Sequence, residues 1–298
     1  MDSSDPSPGV AVRVLVLGVL GQDGSYLAEQ LLADGHDVHG MVRRSNVSSP
    51  AQLHLGDLLD QESVEAVLWA AKPDVVYNLA AVTAPGGAWG TPQPPLLADV
   101  TGVGVVRLLE AMMRRTPDAR LVHASSSAVF DPGRYGLYGA AKVLAHEAVA
   151  GYREVLHCSN AVLYSHTSPR QDARFLARRI CSTIKRIAAG SGERLVLGDV
   201  ASRRDWGWAP DYMRALPLIA DQAPRDWVVC TGQPRSVRDL VQTALDLAGL
   251  SWDDVVSIDP AAAHVPDERT PSLGVASATA LGWKPETDFV DMVAALLA

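Results

Sequence analysis

The segment that most constrains this chain is a short β-branched run that breaks into glycines and then into a helix. Arg13–Leu17 (RVLVL) reads as a buried strand, and Gly18-Val19-Leu20-Gly21-Gln22-Asp23-Gly24 follows it directly. Ser25–Asp34 then carries Leu27, Leu31 and Leu32 on one helical face, with Gly35 as the stop. Glycines at such a turn let the backbone bend sharply and approach a pyrophosphate seated on the helix's positive N-terminal end. In a chain with 24 glycines the triplet alone is weak, but strand before and helix after make it a dinucleotide site. Gly18, Gly21, Gln22, Asp23 and Gly24 are the candidate cofactor residues. Their G-x-x-G-x-x-G spacing departs from the G-x-G-x-x-G of ordinary dehydrogenases.

The same alternation continues. Asp37–Val42, Gln52–Leu55, Asp74–Asn78, Leu121–Ala124 and Asn160–Leu163 read as strands; Gln61–Ala71, Leu96–Arg114 and Tyr138–Arg153 read as helices. Strand–helix alternation at this spacing predicts an α/β fold, a Rossmann-like doubly wound parallel sheet. The irregular stretch Thr83–Pro95 follows a strand end, where open α/β sheets bind ligands. After Tyr164 the pattern weakens: Arg174–Ala189 and Val237–Leu247 are helical, while Val200–Tyr212 fits neither period. The expected organisation is a disordered tail (1–10), a dinucleotide-binding domain (11–165) and a smaller mixed substrate lobe (166–298) interleaved with it.

Composition narrows the function classes. With 48% hydrophobic and 20% charged residues, 298 residues build a real core. The net charge of −8, without a Lys/Arg cluster, argues against a nucleic-acid surface. No apolar run reaches the ~18 residues of a membrane span. The acidic start lacks the basic and apolar regions of a signal peptide, so a cytoplasmic protein is expected. Cys158, Cys181 and Cys230 lie far apart, without metal-ligand spacing, and read as reduced core residues; no metal site is expected.

Chemistry concentrates at two places. The second strand ends in Val42-Arg43-Arg44-Ser45, where an NAD site would carry an acidic residue. Arg43 and Arg44 suit the 2′-phosphate of NADP(H) instead, with NAD the other option. Tyr138 and Lys142 lie one helical turn apart, after a strand ending in Ser125-Ser126-Ser127. With seven tyrosines and four lysines in the chain, that spacing is rare by chance. The ammonium beside the phenol is expected to lower the tyrosine's pKa, so that it can move an alcohol's proton. Ser126 can orient the same oxygen.

Together these residues resemble the extended short-chain dehydrogenase/reductase family, in its nucleotide-sugar-modifying branch and nearest to the GDP-mannose 4,6-dehydratases. The segments that carry the resemblance are Gly21–Glu29 (GQDGSYLAE), Val38-His39-Gly40, Arg43-Arg44-Ser45, Leu53–Leu58 (LHLGDL) and Tyr77–Ala81 (YNLAA). Tyr138–Lys142 (YGAAK), Ser168-Pro169-Arg170, Arg204–Gly207 (RDWG) and Gly282–Pro285 (GWKP) complete it. It implies catalytic roles for Ser126, Tyr138 and Lys142, and adds Asp57, Leu58 and Ala80 to the cofactor residues. It implies substrate contacts for Thr83, Ser127, His166, Arg170, Arg204 and Glu268. It also implies a homodimer formed through the helices 96–114 and 138–153.

The departures bear on the reaction. Family dehydratases read Ser-Thr-Ser-Glu where this chain reads Ser125-Ser126-Ser127-Ala128. Their glutamate is the acid/base that helps eliminate water; Ala128 moves no proton. General acid–base groups contribute ~10²–10⁴-fold. The expected function is therefore modification of a nucleotide sugar, GDP-linked, at C4 by epimerisation or 4-keto reduction. The alternatives are a 4,6-dehydratase in which Asp131, Tyr135 or His166 replaces the glutamate, and a non-catalytic NADP-binding protein.

Overall fold

The computed structural model describes residues 11–83, 93–259, 261 and 276–298. The expected tail (1–10) and Glu268 lie outside them. From the N-terminus run β1 (Arg13–Leu17), α1 (Gln22–Ala33), β2 (Asp37–Val42), β3 (Gln52–Leu55), α2 (Gln61–Ala71) and β4 (Val75–Asn78). Then come α3 (Pro94–Ala98), a π-helical turn (Asp99–Val103), α4 (Gly104–Arg115), β5 (Arg120–Ser126), α5 (Gly136–Gly151) and β6 (Cys158–Leu163). The remainder comprises β7 (His166–Thr167), α6 (Leu176–Ala188), β8 (Leu195–Leu197), β9 (Arg203–Arg204), β10 (Gly207–Trp208), α7 (Ala209–Met213) and α8 (Ala215–Ala220). It ends with β11 (Asp226–Val229), β12 (Arg235–Ser236), α9 (Val237–Ala248), α10 (Trp252–Val255), β13 (Val256–Ile258), β14 (Ala276–Ser277) and α11 (Phe289–Leu297).

Eight strands form one sheet in the order β14-β11-β6-β5-β4-β1-β2-β3, and every neighbouring pair is parallel. The run β3-β2-β1-β4-β5-β6 is the doubly wound order whose direction reverses between β1 and β4, the place where such sheets bind ligands. Alternation along β1 sends Val14 and Val16 to one face and Leu15 and Leu17 to the other. The first face packs on Leu27 and Leu31 of α1 and on Tyr212, Leu216 and Ile219 of α7 and α8. The second packs on Leu68, Leu108, Met112, Ala145 and Val149 of α2, α4 and α5. A third core joins Ile180, Ile184, Leu240, Val241, Leu245, Val293 and Leu296 in the smaller lobe of α6, α9 and α11, with β8 and β13.

Several expected boundaries shift. Pro94 and Pro95 open α3 rather than closing a loop, because proline is tolerated in a first helical turn. The helix expected over 96–114 is interrupted by the π turn at Asp99–Val103. The helix expected from Tyr138 begins at Gly136. The stretch 200–212 resolves into two-residue strands: β10 pairs with β7 and β9 with β12. Pairs that short carry no period for a sequence reading to find. Cys158 and Cys181 are core residues as expected, but Cys230 is only partly covered. No described helix is long and apolar enough to cross a membrane.

Candidate active site

A cleft of about 630 Å³ opens over the carboxyl ends of β1, β4 and β5, lined by Gly18–Gly24 apart from Val19, by Ser125–Ser127, Tyr138 and Lys142, and by residues of the smaller lobe. Its floor is the glycine turn. Gly18 has φ +81, and a Cβ there would stand 2.9 Å from the Ala80 amide nitrogen. A Cβ on Gly24 would stand 2.2 Å from the Gly18 carbonyl oxygen. Side chains are thereby excluded at both positions. The N-cap of α1, Gly21, supplies no side-chain cap, so its first-turn amides remain available to an anion. These features fit a dinucleotide diphosphate.

Ser126, Tyr138 and Lys142 meet as expected. The Ser126 hydroxyl shares a hydrogen bond with the Tyr138 phenol and also accepts from the Ala128 amide at 3.2 Å. Lys142 Nζ lies 5.9 Å from the Tyr138 ring centroid and donates to the Ala124 carbonyl at 2.7 Å. The expected lowering of the tyrosine's pKa does not follow. Burial pushes the phenol up to about 12; the Ser126 hydrogen bond pulls the other way, and Tyr135 and Asp23 add to the rise. Burial also pushes the Lys142 ammonium down to about 8, against the pull of Asp23. Desolvation outweighs the neighbouring charge because both groups sit in the same buried seam.

That seam continues along α5. Tyr138, Lys142 and His146 stand at i, i+4 and i+8, one stripe of the helix. His146 Nδ1 is 2.9 Å from Ser125 Oγ, and its Nε2 is 3.5 Å from Asp226 Oδ2. Asp226 also accepts from Arg153 and, at 2.9 Å, from Asn160. These bonds brace the end of β5 that carries Ser126. His146 was missed in the sequence reading, although its place on the Tyr138 stripe was a usable signal.

The turn between β5 and Tyr138 is compact. Ala128 is fully buried and does not line the cleft. Asp131 does not line it either; its carboxylate is 2.9 Å from Arg134 Nε. Between Asp131 and Gly136 lies a 3₁₀ turn, Pro132–Tyr135, which packs so closely that a Cβ on Gly139 would stand 2.4 Å from the Pro132 carbonyl oxygen. Tyr135 lines the cleft beside Tyr138.

The smaller lobe closes the far wall. His166 Nε2 lies 3.0 and 3.1 Å from the two carboxylate oxygens of Asp23, while its Nδ1 faces the Tyr164 carbonyl at 2.7 Å. Ser168 donates to Gln22 at 2.9 Å. Arg170 lies 3.9 Å over the Tyr26 ring and bonds Ser25 and Glu29, so its guanidinium clamps α1 at the cleft's edge. Arg204, Thr83 and Ser127 line the cleft. Asp205 braces the segment behind Arg204 by accepting from the Thr231 amide and hydroxyl and the Gly232 amide, each at 2.7 Å.

Four expected cofactor residues do not line the cleft, and a fifth borders it. Arg43 and Arg44 are exposed just beyond β2. Asp57 accepts from the Leu59 amide at 3.0 Å, and the Leu58 side chain is buried in the core, which leaves only its backbone for a ligand. Ala80 is partly buried and donates its amide to Asn78 Oδ1 at 3.2 Å, between the cleft-lining Leu79 and Ala81.

A doubly wound sheet with Ser126, Tyr138 and Lys142 at its carboxyl edge defines a short-chain dehydrogenase/reductase. Within that class the chain belongs to the GDP-mannose 4,6-dehydratase family, whose profile matches residues 15–296. It is 36% identical to the Arabidopsis thaliana protein GDP-mannose 4,6 dehydratase 1, over 94% of this chain and 87% of that one. It is 31% identical to the Vibrio cholerae (El Tor Inaba N16961) GDP-mannose 4,6-dehydratase, over 95% and 92%. Its fold matches the Thermotoga maritima UDP-glucose 4-epimerase with UDP-glucose (TM-score 0.80, 20% identity, 95% of this chain and 97% of that one). It also matches the Pseudomonas aeruginosa protein RMD complexed with NADPH (TM-score 0.76, 22% identity, 96% and 97%).

Proposed function

We propose that this chain is an NADP(H)-dependent enzyme acting at C4 of a nucleoside-diphosphate hexose, GDP-linked, by 4-epimerisation or 4-keto reduction. The observation that carries the reading is an intact Ser126–Tyr138–Lys142 cluster beside a turn without a free acid. Among the described residues, two carboxylates line the cleft, Asp23 and Asp172, and each is already ion-paired, with His166 and Arg174. Ala128, in the glutamate's place, is buried and aprotic.

The bound nicotinamide would take or give hydride at the sugar carbon. Tyr138 moves the proton of the C4 oxygen, and Ser126 orients that oxygen. Lys142 holds a positive charge below the phenol. The high pKa of Tyr138 keeps it protonated at neutral pH, the form that donates to a ketone. The α1 amides receive the diphosphate, and Arg43 and Arg44 receive the 2′-phosphate. Arg204 and Thr83 face the sugar nucleotide. The proposed assembly is a homodimer; Val103, Met113 and Leu144 are exposed apolar residues on the helices that would pair.

Two observations support 4,6-dehydration instead: the family's named relatives are dehydratases, and Tyr135 lines the cleft beside Tyr138. Incubation with GDP-mannose, and separately with a GDP-4-keto-hexose plus NADPH, distinguishes the readings by mass spectrometry together with proton NMR, which resolves 4-epimers of equal mass. Loss of water from the first supports dehydration. Consumption of NADPH with the second supports ketone reduction. No change in any GDP-hexose would end the leading reading.

A further inference from the structure

The glycine turn carries a charge of the wrong sign for its ligand. Asp23 sits in the first turn of α1, where a diphosphate is to bind on the amides. A carboxylate there favours the helix dipole but repels a phosphate anion. The structure answers with one direct cation. His166, from the smaller lobe, reaches both Asp23 oxygens at 3.0 and 3.1 Å through Nε2. Its Nδ1 faces a carbonyl, Tyr164, at 2.7 Å, and its ring stacks on Tyr212 at 4.9 Å. A carbonyl accepts and an ionised carboxylate accepts, so both ring nitrogens must carry hydrogen to satisfy these contacts. The ring is then a cation.

Other groups reach Asp23 more weakly or without charge. Gln22 Nε2 donates to it at 2.9 Å. Lys142 acts on it electrostatically, but its ammonium is bonded to the Ala124 carbonyl. Burial disfavours the Asp23 carboxylate; His166, Gln22 and Lys142 outweigh burial and hold its pKa below the usual value.

We propose that His166 is a positioning residue that neutralises Asp23, so that the Gly18–Gly24 turn can accept the cofactor diphosphate. The proposal rests on the reading of the cleft as a nicotinamide-dinucleotide site. It also revises the expectation that His166 contacts the sugar or replaces the missing glutamate. Its ring is committed to Asp23, Tyr164 and Tyr212.

The test is a double-mutant cycle read by NADPH fluorescence titration, without sugar, on the full chain. His166→Gln removes the cation and leaves Asp23 unmasked, so NADPH binding should weaken about tenfold or more. Asp23→Asn removes the repelling charge itself, so it should bind NADPH more tightly than His166→Gln does. Asp23→Asn/His166→Gln should recover to the Asp23→Asn level, because no charge remains to be balanced. Thermal melts of all four proteins show whether weak binding reflects unfolding; the Asp23→Asn pair decides the point even where His166→Gln folds poorly. A double variant as weak as His166→Gln would overturn the proposal, as would unimpaired binding by His166→Gln. If the unsubstituted protein binds neither NADPH nor NADH, the cofactor reading itself falls, and this inference with it.

Discussion

The two sides of Tyr138 contrast sharply. On its helical side, Lys142 and His146 follow at one-turn intervals, and each has a buried polar partner on β5. On its N-terminal side, the turn from Ala128 to Tyr135 offers only Tyr135 and Arg134 to the cleft. The helical side is built to hold charge and protons in fixed positions. The turn side carries the buried Ala128 where the proposed reading looks for the acid of water elimination. Under that reading, hydride and proton transfer at C4 need only the first side, and dehydration needs both.

The contrast is broken most severely at the helical side. Tyr138→Phe should lower kcat by about 10³-fold under any of the redox readings, while NADPH binding stays intact by fluorescence titration. Unchanged turnover would mean that Tyr138 does not move the proton. Lys142 comes next, and its two effects run in opposite directions with pH. Its pKa falls from 10.5 to about 8 on burial, so the ammonium, and with it activity, should disappear as pH rises through about 8. Between about 8 and 10.5 the unfolded chain binds a proton that the folded chain does not, so stability should rise with pH across that window. At neutral pH, Lys142→Met should therefore raise stability, by an amount on the order of 3 kcal/mol less the lost bond to Ala124, read as a higher melting temperature, while abolishing turnover. A lower melting temperature would show that the buried ammonium stabilises the fold.

The turn side is sharpened by restoring its acid. Ala128→Glu should raise dehydration of GDP-mannose about tenfold or more, with about 1–3 kcal/mol of lost stability because the site is fully buried. No gain in dehydration would show that the missing glutamate is not what separates this chain from its relatives. The smallest effect belongs to the surface of the same turn. Arg134→Ala breaks a half-exposed ion pair with Asp131, and chemical denaturation should register less than about 1 kcal/mol.

Much of the site was legible because its signals are local. Gly24 is demanded by the Gly18 carbonyl six residues before it and Gly18 by its positive φ, and Tyr138 and Lys142 share one helical turn. Strands β1 to β6 of the main sheet were readable, most of them because burial on both faces leaves continuous apolar runs, whereas β11 and β14 were not. The π turn at Asp99–Val103 and the two-residue strands were not, since neither imposes a period on its residues. The pairs Asp23–His166 and Ser125–His146–Asp226 were also hidden: the first partners stand 143 positions apart in sequence. Arg170, read as a substrate contact, turned out to clamp Tyr26 and Glu29.

The sequence by itself determined the doubly wound class, the glycine turn, and the grouping of Ser126, Tyr138 and Lys142, because periodicity and short spacings survive without coordinates. Only the tertiary structure decided the charges. Whether Lys142 lowers the Tyr138 pKa depends on how much water each retains, and burial reversed the expectation drawn from spacing alone. Whether His166 serves the sugar or the cofactor turn depends on which carboxylate the folded lobe brings to its ring, and that carboxylate is Asp23.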